Sequence, residues 1–278
     1  MTKPRIEAFL NCSCRRFDPF RGKRQCRACG DCLRYFRAGE TYPAAEVASS
    51  PSAGRPTPPD LVWTGGPRGA LDLRLHAVRA LCGRVTPRAH VAADVAGGGG
   101  RWLPHLAPDF DLYLHMDLSG PALRYAEERH RDLGNVVFVQ NDLVADRQAV
   151  REIDLALCLD TLLYEQDFVP RALRSIRAML RPGGWLIAEF TSFFHSLVGR
   201  MARAGRVRGP KRTFWLDEAR RLSREAGFDV VAAYVLYREL PVGLNDALQG
   251  FQTTPLREAA TWFYLLLRSP GDAAEAGS

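Results

Sequence analysis

Five thiols fall within 21 consecutive positions near the start of this 278-residue chain, at Cys12, Cys14, Cys26, Cys29 and Cys32; only Cys82 and Cys158 lie elsewhere. Close pairs of thiolates suit a tetrahedral zinc site. The C-x2-C-x2-C run over 26–32 also matches three ligands of an iron–sulfur cluster, without a fourth cysteine three residues on. A segment of roughly 40 residues buries too little surface to fold alone, and a bound metal supplies the missing stabilisation. Zinc and an iron–sulfur cluster both stay open, as do unliganded or redox thiols. The same segment carries the charge: residues 1–38 hold ten Lys or Arg against three acids, a balance of +7, and the remainder of the chain is neutral. Part of this basicity offsets a thiolate cluster. Interleaved with Phe and Tyr, it also suits a nucleic-acid backbone or a lid over a small acceptor.

A second constellation begins at VAADVAGGGG, residues 91–100, where a β-type run delivers Asp94 into four glycines. Glycines there allow a tight turn and a close approach of backbone amides to a ligand. Asp117 follows 23 residues after Asp94, where an acid can accept hydrogen bonds from ribose hydroxyls. Asn141 and Asp142 close a third apolar run, and Asp160 with Tyr164 follows a fourth. A dinucleotide-binding G-x-G-x-x-G needs its last glycine where this chain has Trp102 or Leu103, so a dehydrogenase reading fails.

These residues need a parallel sheet to bring them to one edge. The periodicity predicts strands over 90–95, 111–116, 136–139, 153–159, 185–190, 228–236 and 261–267. Helices are predicted over 71–82, 121–133, 168–180 and 216–226, with another opened by the glycine run. Alternating short β-branched runs and amphipathic stretches indicate an α/β sheet covered by helices on both faces. The chain divides into a basic Cys-rich head (1–40), a Pro/Ser/Ala-rich linker (41–60), an α/β domain (61–270) and a short tail (271–278). Its longest apolar stretch, 230–237, is far short of a membrane span, and the N-terminus lacks a leader's apolar core, which predicts a soluble, cytoplasmic protein.

Over residues 61–268 the sequence resembles the class I S-adenosylmethionine-dependent methyltransferases. The matching pieces are DVAGGGG (94–100), HMDLS (115–119), FVQNDL (138–143), IDLALCLDTL (153–162) and LRPGGWL (180–186). The resemblance implies a Rossmann-like seven-stranded sheet, with the strand over 261–267 inserted antiparallel beside the one over 185–190. It implies S-adenosylmethionine as cofactor, bound by Asp94, Ala96, Gly98, Gly100, Asp117, Leu118, Asn141, Asp142, Leu143, Leu159 and Asp160. Gly98 and Gly100 would line the methionine portion, Asp117 hold the ribose, Asp142 meet the adenine amino group, and Leu118 and Leu143 sandwich the ring. Residues 158–160 would lie beside the methionine end.

Two departures stand out. Ala96 occupies the place of the family's first motif glycine, which predicts a slightly opened turn with Gly97 compensating. Leu163 and Tyr164 stand where many small-molecule relatives carry Glu-His. A general base is needed only for acceptors that arrive protonated, and Tyr164, Glu165 and His195 are the candidates on the correct edge. The leading expectation is a methyltransferase for a small-molecule acceptor, in specialised metabolism. The alternatives are an RNA methyltransferase whose head binds the nucleic acid, and a non-catalytic scaffold that binds the cofactor.

Overall fold

The computed structural model describes residues 34–37, 68–85, 89–144, 148, 150–162, 167–193, 213–237, 240–249 and 260–271. The first half contains strand β1 (Arg34–Arg37), helix α1 (Arg68–Cys82), β2 (Val91–Val95), the short α2 (Leu103–Leu106), β3 (Leu112–Asp117), α3 (Gly120–Arg129) and β4 (Val136–Gln140). The second contains β5 (Ile153–Cys158), α4 (Phe168–Met179), β6 (Leu180–Thr191), α5 (Leu216–Glu225), β7 (Asp229–Leu236), α6 (Val242–Leu248) and β8 (Trp262–Arg268).

All strands join one sheet in the order β1-β4-β3-β2-β5-β6-β8-β7. The five strands β4, β3, β2, β5 and β6 run parallel, while β8 is antiparallel to both β6 and β7. The seven expected strands are all present, and the insertion of β8 beside β6 is as the resemblance implied. The eighth was not expected. β1, from the basic head, pairs antiparallel with β4, Arg34 opposite Gln140 and Arg37 opposite Val137. Four residues flanked by cysteines and arginines carry too weak a pattern to announce a strand, and only the open edge of β4 supplies its partner.

Central strands buried on both faces need apolar residues at nearly every position. β2 is buried throughout, and its alternate side chains enter two cores. On one face Ala92, Tyr113, Phe138, Leu157 and Ile187 pack under α1, α2 and α3 through Val78, Leu81, Leu103 and Leu123. On the other, Val91, Ala93, Leu114 and Ala188 meet α4 and α5. α4 buries Val169, Ala172, Leu173, Ile176 and Met179, a helical stripe worth about 1.5–3 kcal/mol per large side chain.

Two local readings change. The RPGG at 181–184 does not lie between helix and strand; it is a bulge inside β6, where Leu180 pairs with Ile153 and Trp185 with Leu155. Gly183, at φ 73°, permits it. The glycine run leads into one short helix, α2. Helix α6 was not legible, since its seven residues hold no apolar stripe. Its buried Asn245 fastens it by donating to the carbonyls of Tyr237 and Leu240 and accepting from the Tyr237 N–H.

Candidate functional site

The chain runs from β2 outward to β4, then returns to place β5 on the other side of β2. This reversal opens a crevice at the carboxyl ends of β2 and β5, the place where open α/β sheets bind ligands. Asp94 ends β2, the glycine loop follows it, Asp117 ends β3, and Asp160 follows β5.

The loop is built on three left-handed residues. Ala96 itself takes the left-handed backbone conformation, at φ 58°, and Gly98 and Gly100 follow at 56° and 77°. An alanine there is strained by about 1–2 kcal/mol, which the rest of the loop must offset. Asp117 holds the loop from the next strand: its Oδ2 accepts the Gly98 N–H at 2.8 Å and its Oδ1 the Ser119 N–H at 2.7 Å. Each oxygen keeps a lone pair for a further donor. Burial pushes the Asp117 carboxyl above the usual carboxylate range, and these two N–H bonds pull it back. Ser119 also caps α3, accepting the Ala122 N–H at 3.3 Å.

Beside them Asn141 donates from its amide side chain to Gln148 at 3.0 Å, and its backbone N–H reaches the Asp117 carbonyl. Asp142 accepts the Val144 N–H at 3.0 Å. Leu118 is half-buried and Leu143 buried. Asp94, Ala96, Gly98, Gly100, Asp117, Leu118, Asn141, Asp142, Leu143, Leu159 and Asp160 therefore all lie at one edge, on the ends of β2 to β5.

At the β5 and β6 end lies a cluster of charge that the sequence reading missed. Arg74, from α1, is 3% exposed and bridges Glu189 on β6 and Asp160, the latter at 2.7 Å. Its Nε donates to the Tyr264 hydroxyl at 3.2 Å, and its guanidinium stacks on Trp102 and Trp262. Burial pushes the Glu189 carboxyl up, against the pull of Arg74. Arg101, directly after the glycines, also lies over Trp102, 3.7 Å from Asp160. Its side chain is 7% exposed, and Nε and Nη1 have no hydrogen-bond partner among the described residues. Burial, then repulsion from Arg74, holds its pKa below the usual value. Nothing local marks Arg74 or Glu189 in the sequence, since an arginine on a helix and an acid in a strand are ordinary surface residues until the fold buries both.

Residues 92–184 match the methyltransferase domain family. This stretch is similar to a methyltransferase domain. The chain's fold is that of a S-adenosylmethionine-dependent methyltransferase from Clostridium acetobutylicum ATCC 824, with a TM-score of 0.56 at 15% identity over 72% of this chain and 92% of that one. The magnesium protoporphyrin IX methyltransferase of Synechocystis PCC 6803, solved with bound SAH, superposes at a TM-score of 0.52 and 14% identity, covering 75% and 90%. In sequence, 128 residues are 31% identical to the hybrid PKS-NRPS synthetase mpsA of Macrophomina phaseolina (strain MS6). That stretch is 43% of this chain and 3% of the synthetase, so the chain spans a small fraction of that relative's length.

The three candidate bases, Tyr164, Glu165 and His195, lie outside the described residues, as do Cys12, Cys14, Cys26, Cys29 and Cys32. Among the described residues no group of three or more His, Cys, Asp or Glu could hold a metal. The described Cys82 and Cys158 are buried and burial raises both thiols, so they are inert packing residues. No described helix is long and apolar enough to cross a membrane.

Proposed function

We propose that this protein transfers the methyl group of S-adenosylmethionine to a small-molecule acceptor. The observation that carries the reading is Asp117, a carboxylate at the end of β3 held by the amides of Gly98 and Ser119 beside the glycine loop. The residues fit the cofactor. A Cβ built on Gly98 meets no described atom within 4 Å, which leaves open space against the loop, and Asp117 keeps lone pairs for two ribose hydroxyls. Ala96, Gly98 and Gly100 would line the methionine portion with Leu159 and Asp160. Asp142, beside Asn141, would accept from the adenine amino group, and Leu118 and Leu143 would enclose the ring.

S-adenosylmethionine supplies an electrophilic methyl on a sulfonium. The chain's part is to position, desolvate and orient. Arg101 Nε, without a hydrogen-bond partner among the described residues, would be a donor for an anionic group at the methionine end, where the Trp102 and Trp262 rings pack against Arg74. Tyr164, Glu165 and His195 are the proposed bases for an acceptor that arrives protonated. The small-molecule reading draws support from relatives whose names state a magnesium porphyrin methyltransferase and a PKS-NRPS synthetase, the latter favouring specialised metabolism.

For the head we propose a structural metal. Its donor set is all thiol, which suits zinc or an iron–sulfur cluster and not a hard cation.

The test is transfer of labelled methyl from the cofactor to fractionated cell extract. Label in small molecules is the expected result, and Asp117→Ala abolishes it together with SAH binding. Label confined to RNA overturns the acceptor class in favour of the basic head. Cofactor binding without any transfer favours a scaffold.

A further inference from the structure

His115 lies on β3, two residues before Asp117, and is wholly buried. Its Nε2 is 2.9 Å from the carbonyl oxygen of Gly98. A carbonyl can only accept, so Nε2 carries a hydrogen. Its Nδ1 faces Asp94 Oδ2 at 3.3 Å, an ion-pair distance too bent for an aligned hydrogen bond. Asp94 is 1% exposed, and neither of its oxygens has a hydrogen-bond partner among the described residues. A carboxylate so enclosed is stable only beside a positive charge. His115 is the cationic group the fold places against it.

We propose that His115 is held as an imidazolium, protonated on both ring nitrogens, and that this buried cation is a positioning residue which sets the glycine loop for the cofactor. The role rests on the cofactor reading above. The ring holds the Gly98 carbonyl while Asp117 holds the Gly98 N–H, so the peptide planes on both sides of Gly98 are fixed from β3. Loop and ring are also matched in volume: a Cβ at Gly97 would lie 2.3 Å from His115 Cε1 and 2.5 Å from Asp94 Oδ2. The ring fills the space that any larger residue at 97 would need.

The groups facing the ring from each side are consistent with a cation. Asp94 approaches from β2, Asp117 shares β3, and the Phe138 ring of β4 meets it edge-on at 5.7 Å. His130, after α3, lies within electrostatic reach and is itself pushed below its usual value by burial first, then by Arg129 and His115. Burial alone would lower the pKa of His115. The Asp94 contact, the Gly98 carbonyl and Asp117 outweigh it and leave the ring above its ordinary value. The sign follows: the imidazolium persists where a free histidine is neutral, and as pH rises through the raised value the ring keeps its Nε2–H bond to Gly98 but loses the Nδ1 proton and the charge that balances Asp94, which loosens the loop. His130 is already neutral there.

The experiment is NMR of the full chain with 15N-labelled histidine at about pH 7.5, a unit above the free value, with the His115 signals assigned by their loss in His115→Asn. Two protonated ring nitrogens are expected; a single protonated nitrogen overturns the proposal. SAH affinity is then measured against pH in both proteins. The wild type is expected to weaken by at least about fivefold across the His115 titration, and His115→Asn to show no such step, ligand ionisation being common to both. Binding with identical pH profiles overturns the positioning role alone. Absence of SAH binding at every pH overturns the cofactor reading with it, whatever the ring's protonation.

Discussion

Arg74 is the side chain on which the β5 and β6 end of the crevice depends. It pairs with Glu189 and Asp160 at once and lies over the rings of two tryptophans. Removing one member of a buried ion pair leaves the other charged and dry, at a cost of about 3–5 kcal/mol. Arg74→Ala is therefore expected to lose stability on that scale in urea unfolding, and a loss below about 1 kcal/mol would show that the cluster is hydrated. Asp117 belongs to the same scale. Its aspartate was legible because it ends a strand 23 residues after Asp94, whereas Arg74 and Glu189 were not, because their meaning lies in each other. Nothing in the local spacing gives His115 a role, and it acquires one only when β3 lies beside β2 and the loop folds back over the ring. In the head, Cys29→Ser is expected to reduce bound metal measured by elemental analysis, and a visible absorption band in protein purified without oxygen would mark iron–sulfur rather than zinc.

Among the elements, β1 changes the account most. It covers the edge of β4, whose backbone groups would otherwise invite pairing with another chain. A boundary at residue 40 places β1 with the head, although its hydrogen bonds belong to the main sheet. Deleting residues 1–40 is expected to shift the protein toward self-association in size-exclusion chromatography; an unchanged monomer–oligomer balance would mean that the β4 edge needs no cover. The longer elements were legible for a plain reason. α4 and α5 carry helical apolar stripes, and β2 to β5 are short, mainly apolar runs with turn residues nearby. α6 has neither, and its seven residues are held by Asn245 and by Asp246, which accepts from the Tyr234 hydroxyl at 2.6 Å.

For the whole molecule, ligand binding and folding are one equilibrium. A cofactor that binds only the folded chain stabilises it by about 2.7 kcal/mol at a hundred times its Kd. SAH is expected to raise the thermal midpoint of the wild type and not that of Asp117→Ala, with circular dichroism confirming that the variant is folded. A midpoint raised equally in both would remove Asp117 from the cofactor site. The crevice proposed for the cofactor is made by chain order: β2, β3 and β4 run one way from the centre and β5, β6 the other, so five strand ends converge at one edge.

The α/β class, seven of the eight described strands, the glycine loop and the acids at the strand exits are all written in local spacing and periodicity. The tertiary structure decided the rest. Ala96 accepts the left-handed turn because Asp117 and His115 fix the loop around Gly98 from a neighbouring strand. Arg74 becomes a buried cation because α1 lies over β6 and β8. β1 joins the sheet because β4 has an open edge. Contacts between residues far apart in the chain leave no periodic trace, and they set protonation, burial and pairing in the site.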